Sequence, residues 1–181
     1  SKTYHYKNAL DLLVQAGLAY KIMHSAARGI PLGAHVKPKR VKVLPWDVGI
    51  YQRMLGLALS ELWVANETQL VNRGSLAELH VGLELIASIS PYTKPSLHYW
   101  HREARASNAE VDYVIQQGSK VIPVEVKAGT RGQLQSIQLF LRERDFDQGI
   151  CMGPSNFRRH KNIHFIPIYA AGQLRELLQD S

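Results

Sequence analysis

Three charged side chains flank a short turn that is predicted to join two β-strands. Asp112 precedes the turn, and Glu125 and Lys127 follow it. The turn, Gly118-Ser119, has two residues with glycine first, which is typical of a type II′ β-hairpin. The register that such a turn imposes pairs Asp112 directly with Glu125. Two facing carboxylates with a lysine nearby are suited to binding a cation and stabilising negative charge.

The same hairpin predicts a charged face and an apolar face, because side chains alternate along a strand. We expect Glu110, Asp112, Glu125 and Lys127 on one face. The other face is predicted to be core, with Val111, Tyr113, Ile115, Ile122, Val124 and Val126. Facing carboxylates repel each other, and a divalent cation would offset the repulsion since hard cations bind carboxylate oxygens. The alternative is that Lys127 and Glu110 neutralise an exposed polar face.

The elements that precede the hairpin are predicted to form two regions. The polar stretch that ends at Gly74 marks a boundary, so we predict a connecting region over residues 1–73 and a second domain over residues 74–181. Apolar spacing and turn residues predict, in the first region, a helix over 4–16, strands over 18–23 and 41–44, and a helix over 47–64 that Asp47 caps. This region is helical and could be winged-helix-like.

The second region is predicted to alternate helices and strands. Its order is αβββαβ, followed by one more strand and helix, which indicates an α/β (α+β) fold with a mixed central sheet. The predicted elements are a helix over 75–89, strands over 97–102, 110–116 and 120–126, a helix over 133–144, strands over 149–152 and 163–169, and a helix over 172–178.

Asp112 followed by Glu125-Val126-Lys127 is similar to the signature of PD-(D/E)xK nucleases, whose restriction-endonuclease-like core also has the order αβββαβ. Longer segments resemble the C-terminal domain and connecting region of a prokaryotic family of AAA+ ATPases of unknown function. The segments are 16–18, 42–50, 74–85, 99–101, 110–115 and 122–129. The chain is therefore interpreted as a C-terminal fragment, and any ATP would be bound by an N-terminal ATPase domain outside it.

The resemblance implies roles for four residues. Asp112 and Glu125, assisted by Glu78, would bind Mg²⁺ or Mn²⁺, and Lys127 would position the attacking water or stabilise charge. The implied activity is cleavage of phosphodiester bonds in DNA. Glu78 has a second interpretation, because Ser75 and Glu78 also have the spacing of a helix-capping box. The alternative for the whole domain is an inactive nuclease-like fold that docks DNA or a protein.

The charge of the chain favours an anionic partner. The formal charge is +7, and DNA is the first candidate for a chain with excess lysine and arginine. Two basic clusters could contact phosphates or could be solvated loops: Lys37, Lys39, Arg40 and Lys42, and Arg158 with Arg159. The single cysteine excludes a disulfide within the chain. That, with no apolar run of membrane-spanning length, predicts a cytoplasmic protein without a membrane partner.

Overall fold

Eight β-strands form one mixed sheet in the computed structural model, which describes residues 2–57, 67–103, 108–129 and 134–179. The strand order is β2-β1-β3-β4-β5-β6-β8-β7. The strands are β1 (Ala19–Ser25), β2 (Val36–Pro45), β3 (His98–His101), β4 (Glu110–Gln117), β5 (Lys120–Val126), β6 (Gly149–Gly153), β7 (Arg158–His160) and β8 (Ile163–Pro167). The hairpin strands β4 and β5 therefore lie at the centre of the sheet.

Five α-helices and two 3-10 helices accompany the sheet in the described residues. The α-helices are α1 (Lys2–Gln15), α2 (Val48–Met54), α3 (Glu67–Ala87), α4 (Gln135–Arg144) and α5 (Leu174–Leu177), and the 3-10 helices span Leu32–His35 and Ile168–Gln173. From α3 to β6 the order is helix, three strands, helix, strand, as predicted. The mixed α/β class is confirmed, with β5, β6 and β8 parallel to one another and β3, β4 and β5 antiparallel.

Helices cover both faces of the central strands. On one face α3 contributes Leu79, Val81 and Leu85 to a buried cluster with Tyr113 and Val124. On the other face α4 contributes to a second cluster, whose buried members include Val111, Val114, Val121, Ile137, Phe140 and Cys151. Burial of these two apolar faces provides the main driving force for the arrangement. The central hairpin is thereby fixed between two helical layers.

The N-terminal strands belong to the same sheet as the hairpin. β1 pairs with β2 in antiparallel orientation and with β3 in parallel orientation. Helix α3 begins at Glu67, so the boundary predicted after residue 73 falls inside this helix. The division into two domains stays a prediction. The predicted cap is confirmed, since the Asp47 carboxylate accepts the Ile50 N–H at 2.7 Å.

Several predicted elements differ from the structure in their extent. β2 begins at Val36, inside the predicted basic loop, and β7 forms where a solvated loop was an alternative. The helix predicted from Asp47 to residue 64 ends at Met54, and residues 58–66 lie outside the described part of the chain. Strand pairing at the two sheet edges explains the first two differences, since β2 pairs with β1 and β7 pairs with β8, whereas the charged residues of both segments taken alone are also typical of a loop. Of the described helices, none combines the length and the apolar character that crossing a membrane requires.

Candidate functional site

The predicted hairpin register is confirmed. Tyr113 pairs with Val124, and Gln117 pairs with Lys120 across the turn. Gly118 has a φ of 59°, as the first position of a type II′ turn requires. Continued by one residue beyond Tyr113 and Val124, this register sets Asp112 beside Glu125. The Asp112 carboxylate also accepts the Val126 N–H at 2.7 Å, so Asp112 lies against β5.

A β-bulge interrupts β4 at Asp112 and Tyr113. On its other side β4 pairs with β3, where Trp100 faces Val111 and His98 faces Val114. One residue of β3, Tyr99, thus lies opposite two residues of β4, and the extra residue breaks the alternation of side chains. Bulges occur often next to functional sites, where they re-aim a side chain. The hairpin sequence alone could not show this bulge, because it depends on β3.

The bulge overturns the prediction of one charged face and one apolar face. Val111 packs in the cluster on the α4 side, whereas Tyr113, Ile115, Ile122, Val124 and Val126 pack on the α3 side. The charged residues divide in the same way. Glu110 pairs with Lys42 near α3, and Lys127 lines a cavity with Cys151 and other residues of the α4 side. Glu110 and Lys127 therefore point toward different sides of the hairpin, but the sets stay close, since Lys42 lowers and Glu110 raises the pKa of Glu125.

Asp112 lies close to acidic residues of both groups, Glu78 on the α3 side and Glu125 on β5. Burial and the charges of Glu125 and Glu78 raise the pKa of its carboxyl group, the hydrogen bond from Val126 and the charge of Lys42 lower it, and the net value is about 8. Because Glu125 and Glu78 both act on it, Asp112 lies between the acids of the two faces. At neutral pH this carboxyl group is mostly protonated unless a cation compensates for its charge.

Glu125 on β5 and Lys127, the first residue after β5, form a partly buried ion pair. The Lys127 ammonium donates to Glu125 Oε1 at 2.6 Å. Glu125 is 5% exposed, and its Oε2 has no hydrogen-bond partner in the described residues. Burial raises the pKa of Glu125 and Lys127 lowers it, with a net increase. Burial alone would lower the pKa of Lys127, but the bond and charge of Glu125 outweigh it and the net pKa is raised.

Glu78 and Glu110 share the ammonium group of Lys42. Lys42 Nζ lies 2.9 Å from Glu78 Oε1 and also pairs with Glu110. Burial lowers the pKa of Lys42, but the two carboxylates raise it to a net value above its ordinary range. The sequence predicts Lys42 in a basic cluster that either contacts phosphates or forms a solvated loop. The structure instead brings it to the acidic site, which no pattern within β2 could reveal.

The capping-box interpretation of Glu78 is wrong. Ser75 lies within α3, which begins eight residues earlier at Glu67, so it cannot cap the N-terminus of this helix. The Glu78 carboxylate accepts from Lys42 instead. Its backbone carbonyl accepts the Tyr113 hydroxyl at 2.8 Å, which fixes α3 against the bulge of β4. Glu78 is therefore held beside Asp112 by contacts on both its side chain and its backbone.

The remaining basic residues lie on the two edge strands. Lys37, Lys39 and Arg40 are exposed on β2, where Lys37 and Arg40 pair with Glu103. Arg158 and Arg159 are exposed on β7. Strand registers connect Glu125 through Cys151 and Phe165 to Arg158, and Tyr99, opposite the bulge, through His24 to Lys37. A row of neighbouring residues across the sheet thus connects the basic edge strand β2, the acidic residues at the centre and the basic edge strand β7.

Three acids do not converge on one point. Within the described part of the chain, no group of three or more His, Cys, Asp or Glu side chains is arranged to hold a metal ion. Asp112 and Glu125 remain as a facing pair, while Glu78 is held by Lys42. The arrangement therefore offers two carboxylates at most for a cation without movement of Glu78.

Comparison with family models identifies the relatives of this chain. The model described as a domain of unknown function, DUF4143, matches residues 73–171. The chain belongs to this family. The DUF4143 match includes Glu78, Asp112, Glu125, Lys127 and Arg158, whereas Lys42 lies before its first residue. Neither the curated proteins nor the solved structures gave a significant match.

Proposed function

We propose that the chain is the C-terminal part of an AAA+ ATPase family protein and carries a restriction-endonuclease-like, metal-dependent phosphodiesterase domain that acts on DNA. The observation that supports this proposal best is the facing pair of Asp112 and Glu125 beside Lys127. Burial raises the pKa of both carboxyl groups, and nearby acids add to it: Glu125 and Glu78 for Asp112, and Glu110 for Glu125. Such a perturbed pair at a central position of a sheet is typical of a functional site.

The two carboxylates suit Mg²⁺ or Mn²⁺. Glu125 Oε2 is buried without a hydrogen-bond partner among the described residues, and a buried, unsatisfied acceptor is costly unless something binds it. Mg²⁺ often binds through one or two carboxylates and keeps several waters, so a third protein ligand is not required. When bound, such an ion lowers the pKa of water and stabilises charge on phosphate oxygens.

Each side chain of the site would have a distinct role in cleavage. Asp112 and Glu125 would hold the ion. Lys127, 2.6 Å from Glu125, would stabilise the negative charge that develops on the phosphate. Glu78 would assist after release from Lys42, and exposed Lys39 and Arg158 would attract the DNA backbone through its charge.

The second candidate is a non-catalytic module that docks DNA or a protein. Its supporting observation is the Lys42 ammonium, which already neutralises Glu78 and Glu110 without a metal. In that case Lys127 would have only a structural role. It would neutralise Glu125, and its loss would leave a buried acid without a cation.

Lys127→Ala separates the two functions. Plasmid cleavage is measured with Mg²⁺ and Mn²⁺, and melting temperatures are measured at two pH values. For the phosphodiesterase we expect Lys127→Ala to reduce turnover about 10²–10³-fold while Mn²⁺ still binds. Lys120→Ala, an exposed lysine at the far end of β5, is the matched control and should leave turnover unchanged. A wild-type chain, joined to its ATPase, that cleaves nothing and loses only thermal stability in Lys127→Ala would favour the docking module.

A further inference from the structure

A small cavity lies on the α4 side of the sheet, beside the Glu125–Lys127 pair. Its volume is about 100 Å³, and Lys127 and Arg158 both line it. The rest of the wall includes Cys151, Gly153 and Ser155. Two basic side chains from different strands thus share one cavity next to the proposed catalytic lysine.

The guanidinium group of Arg158 is positioned to bind an anion. Its guanidinium carbon lies 3.6 Å from the centre of the Phe165 ring, and stacking of this kind fixes the plane of the group while leaving its N–H donors available. Arg158 forms no ion pair with any residue that the structure describes. Its neighbour Arg159 instead donates from Nε to the Lys161 carbonyl at 3.1 Å.

The size of the cavity limits the ligand. Sites for drug-sized molecules enclose about 300–1,000 Å³, so a cavity of about 100 Å³ suits a phosphate group better than a base or a nucleoside. The wall therefore carries two basic side chains around a phosphate-sized space.

We propose that this cavity binds a backbone phosphate of the nucleic-acid substrate adjacent to the phosphate that is cleaved, with Arg158 as a positioning residue and Lys127 shared between the two phosphates. The proposal rests on the proposed phosphodiesterase function. The path of the nucleic-acid strand follows a row of paired residues across the sheet. In this row Glu125 pairs with Cys151, Cys151 with Phe165, and Phe165 with Arg158. The nucleic-acid strand would leave the acids and run toward the β7 edge.

Two binding measurements without divalent metal test the cavity independently of cleavage. Inorganic phosphate, added to the labelled protein, should shift the backbone amide NMR signals of Gly153 and Ser155. Arg158→Ala should abolish these shifts, whereas Arg159→Ala, on the next position of the same strand, should keep them. The second measurement is the affinity for a fluorescent DNA duplex over a range of salt concentrations. Arg158→Ala should weaken the affinity about 10-fold, and the slope of log affinity against log salt concentration should fall by about one phosphate contact. Arg158→Lys should retain the slope but bind less tightly.

The outcomes distinguish the cavity from the catalytic proposal. In a cleaving protein, Arg158→Ala should raise KM about 10-fold with little change in kcat. A cleaving protein whose KM and DNA salt slope are unaffected by Arg158→Ala would overturn the cavity proposal alone. Phosphate-induced shifts without any effect of Arg158→Ala on DNA binding would also overturn it, since the cavity would then bind free phosphate only. Binding as expected, with no cleavage even by the chain joined to its ATPase, would support a phosphate site in the cavity and overturn the nuclease.

Discussion

The Asp112 carboxylate accepts the backbone N–H of Val126 at 2.7 Å, and Val126 is the residue that separates Glu125 from Lys127. The acid of β4 is therefore fixed to the end of β5, where Glu125 is the last residue but one and Lys127 follows directly. This bond favours the ionised carboxylate, but burial and the nearby acids outweigh it and the pKa is about 8. The protonation of Asp112 gives the site its own dependence on pH.

Asp112→Asn should reduce the decrease in stability that the wild-type protein shows as pH rises. The folded-state pKa of Asp112 lies above its ordinary value of 3.8, so between about pH 4 and pH 8 the unfolded chain has lost a proton that the folded chain keeps. The free energy of unfolding therefore falls as pH rises through this window. Melting temperatures in EDTA at pH 5 and pH 8 should fall less for Asp112→Asn than for wild type.

The difference between variants is the quantity to compare, because burial lowers the pKa of His24 and His98. These histidines contribute stability that is lost as pH falls, which opposes the effect of Asp112. Asp147→Asn changes an exposed aspartate and should behave like wild type. Equal losses of stability in wild type and Asp112→Asn would contradict the raised pKa.

Mn²⁺ binding should release a proton. At pH 7 the carboxyl group of Asp112, with a pKa of about 8, is mostly protonated, and a metal ion binds only the ionised form. Calorimetric titration at pH 7 in two buffers of different ionisation enthalpy should show release of nearly one proton, and affinity should increase from pH 6 to pH 8. Affinity that does not change with pH would show that Asp112 is not a ligand.

Lys42→Met should strengthen metal binding and weaken the fold. The ammonium of Lys42 neutralises Glu78 and Glu110, so its removal leaves acids that attract a cation and repel one another. We expect a lower Kd for Mn²⁺ and a lower melting temperature in EDTA at pH 8. Lys39→Met, an exposed position on the same strand, is the control. Unchanged Mn²⁺ affinity in Lys42→Met would place Lys42 outside the metal site.

Gly153→Ala should displace Lys127. A Cβ at this position would lie 2.9 Å from the Lys127 carbonyl oxygen, and backbone cannot yield as a side chain can. Overpacking of this kind costs about 1–3 kcal/mol, so we expect a lower melting temperature and lower turnover. A Cβ at Gly129 would meet nothing within 4 Å, which makes Gly129→Ala the control. Wild-type turnover in Gly153→Ala would show that the position of Lys127 does not matter.

Lys39 should contribute more to DNA binding than Lys37. Lys37 is paired with Glu103, which reduces the charge it presents to phosphates. Lys39→Ala should therefore lower the log–log salt slope of duplex binding by up to about 0.9, and Lys37→Ala should lower it less. Fluorescence anisotropy over a range of salt concentrations measures both slopes. Two unchanged slopes would assign β2 to a solvated edge that does not contact DNA.

Local patterns predicted the elements around the hairpin, because the turn at Gly118-Ser119 and the alternation of β4 and β5 lie within a short stretch of sequence. Patterns could not predict what depends on distant partners. The bulge at Asp112 arises from pairing with β3, and Lys42 reaches Glu78 and Glu110 from β2. The prediction that the four charged residues share a face was wrong for this reason.

The outermost strands also affect how the protein behaves at high concentration. Among the strands that the structure describes, β2 and β7 lie at the two edges of the sheet, and an exposed edge can pair with the edge of another copy and start aggregation. Lys37, Lys39 and Arg40 on one edge, and Arg158 and Arg159 on the other, make both edges positive. Copies of the chain therefore repel one another edge to edge. Replacing all the basic residues of one edge by neutral residues would remove this repulsion and favour aggregation. Single substitutions are therefore better suited to measuring DNA binding.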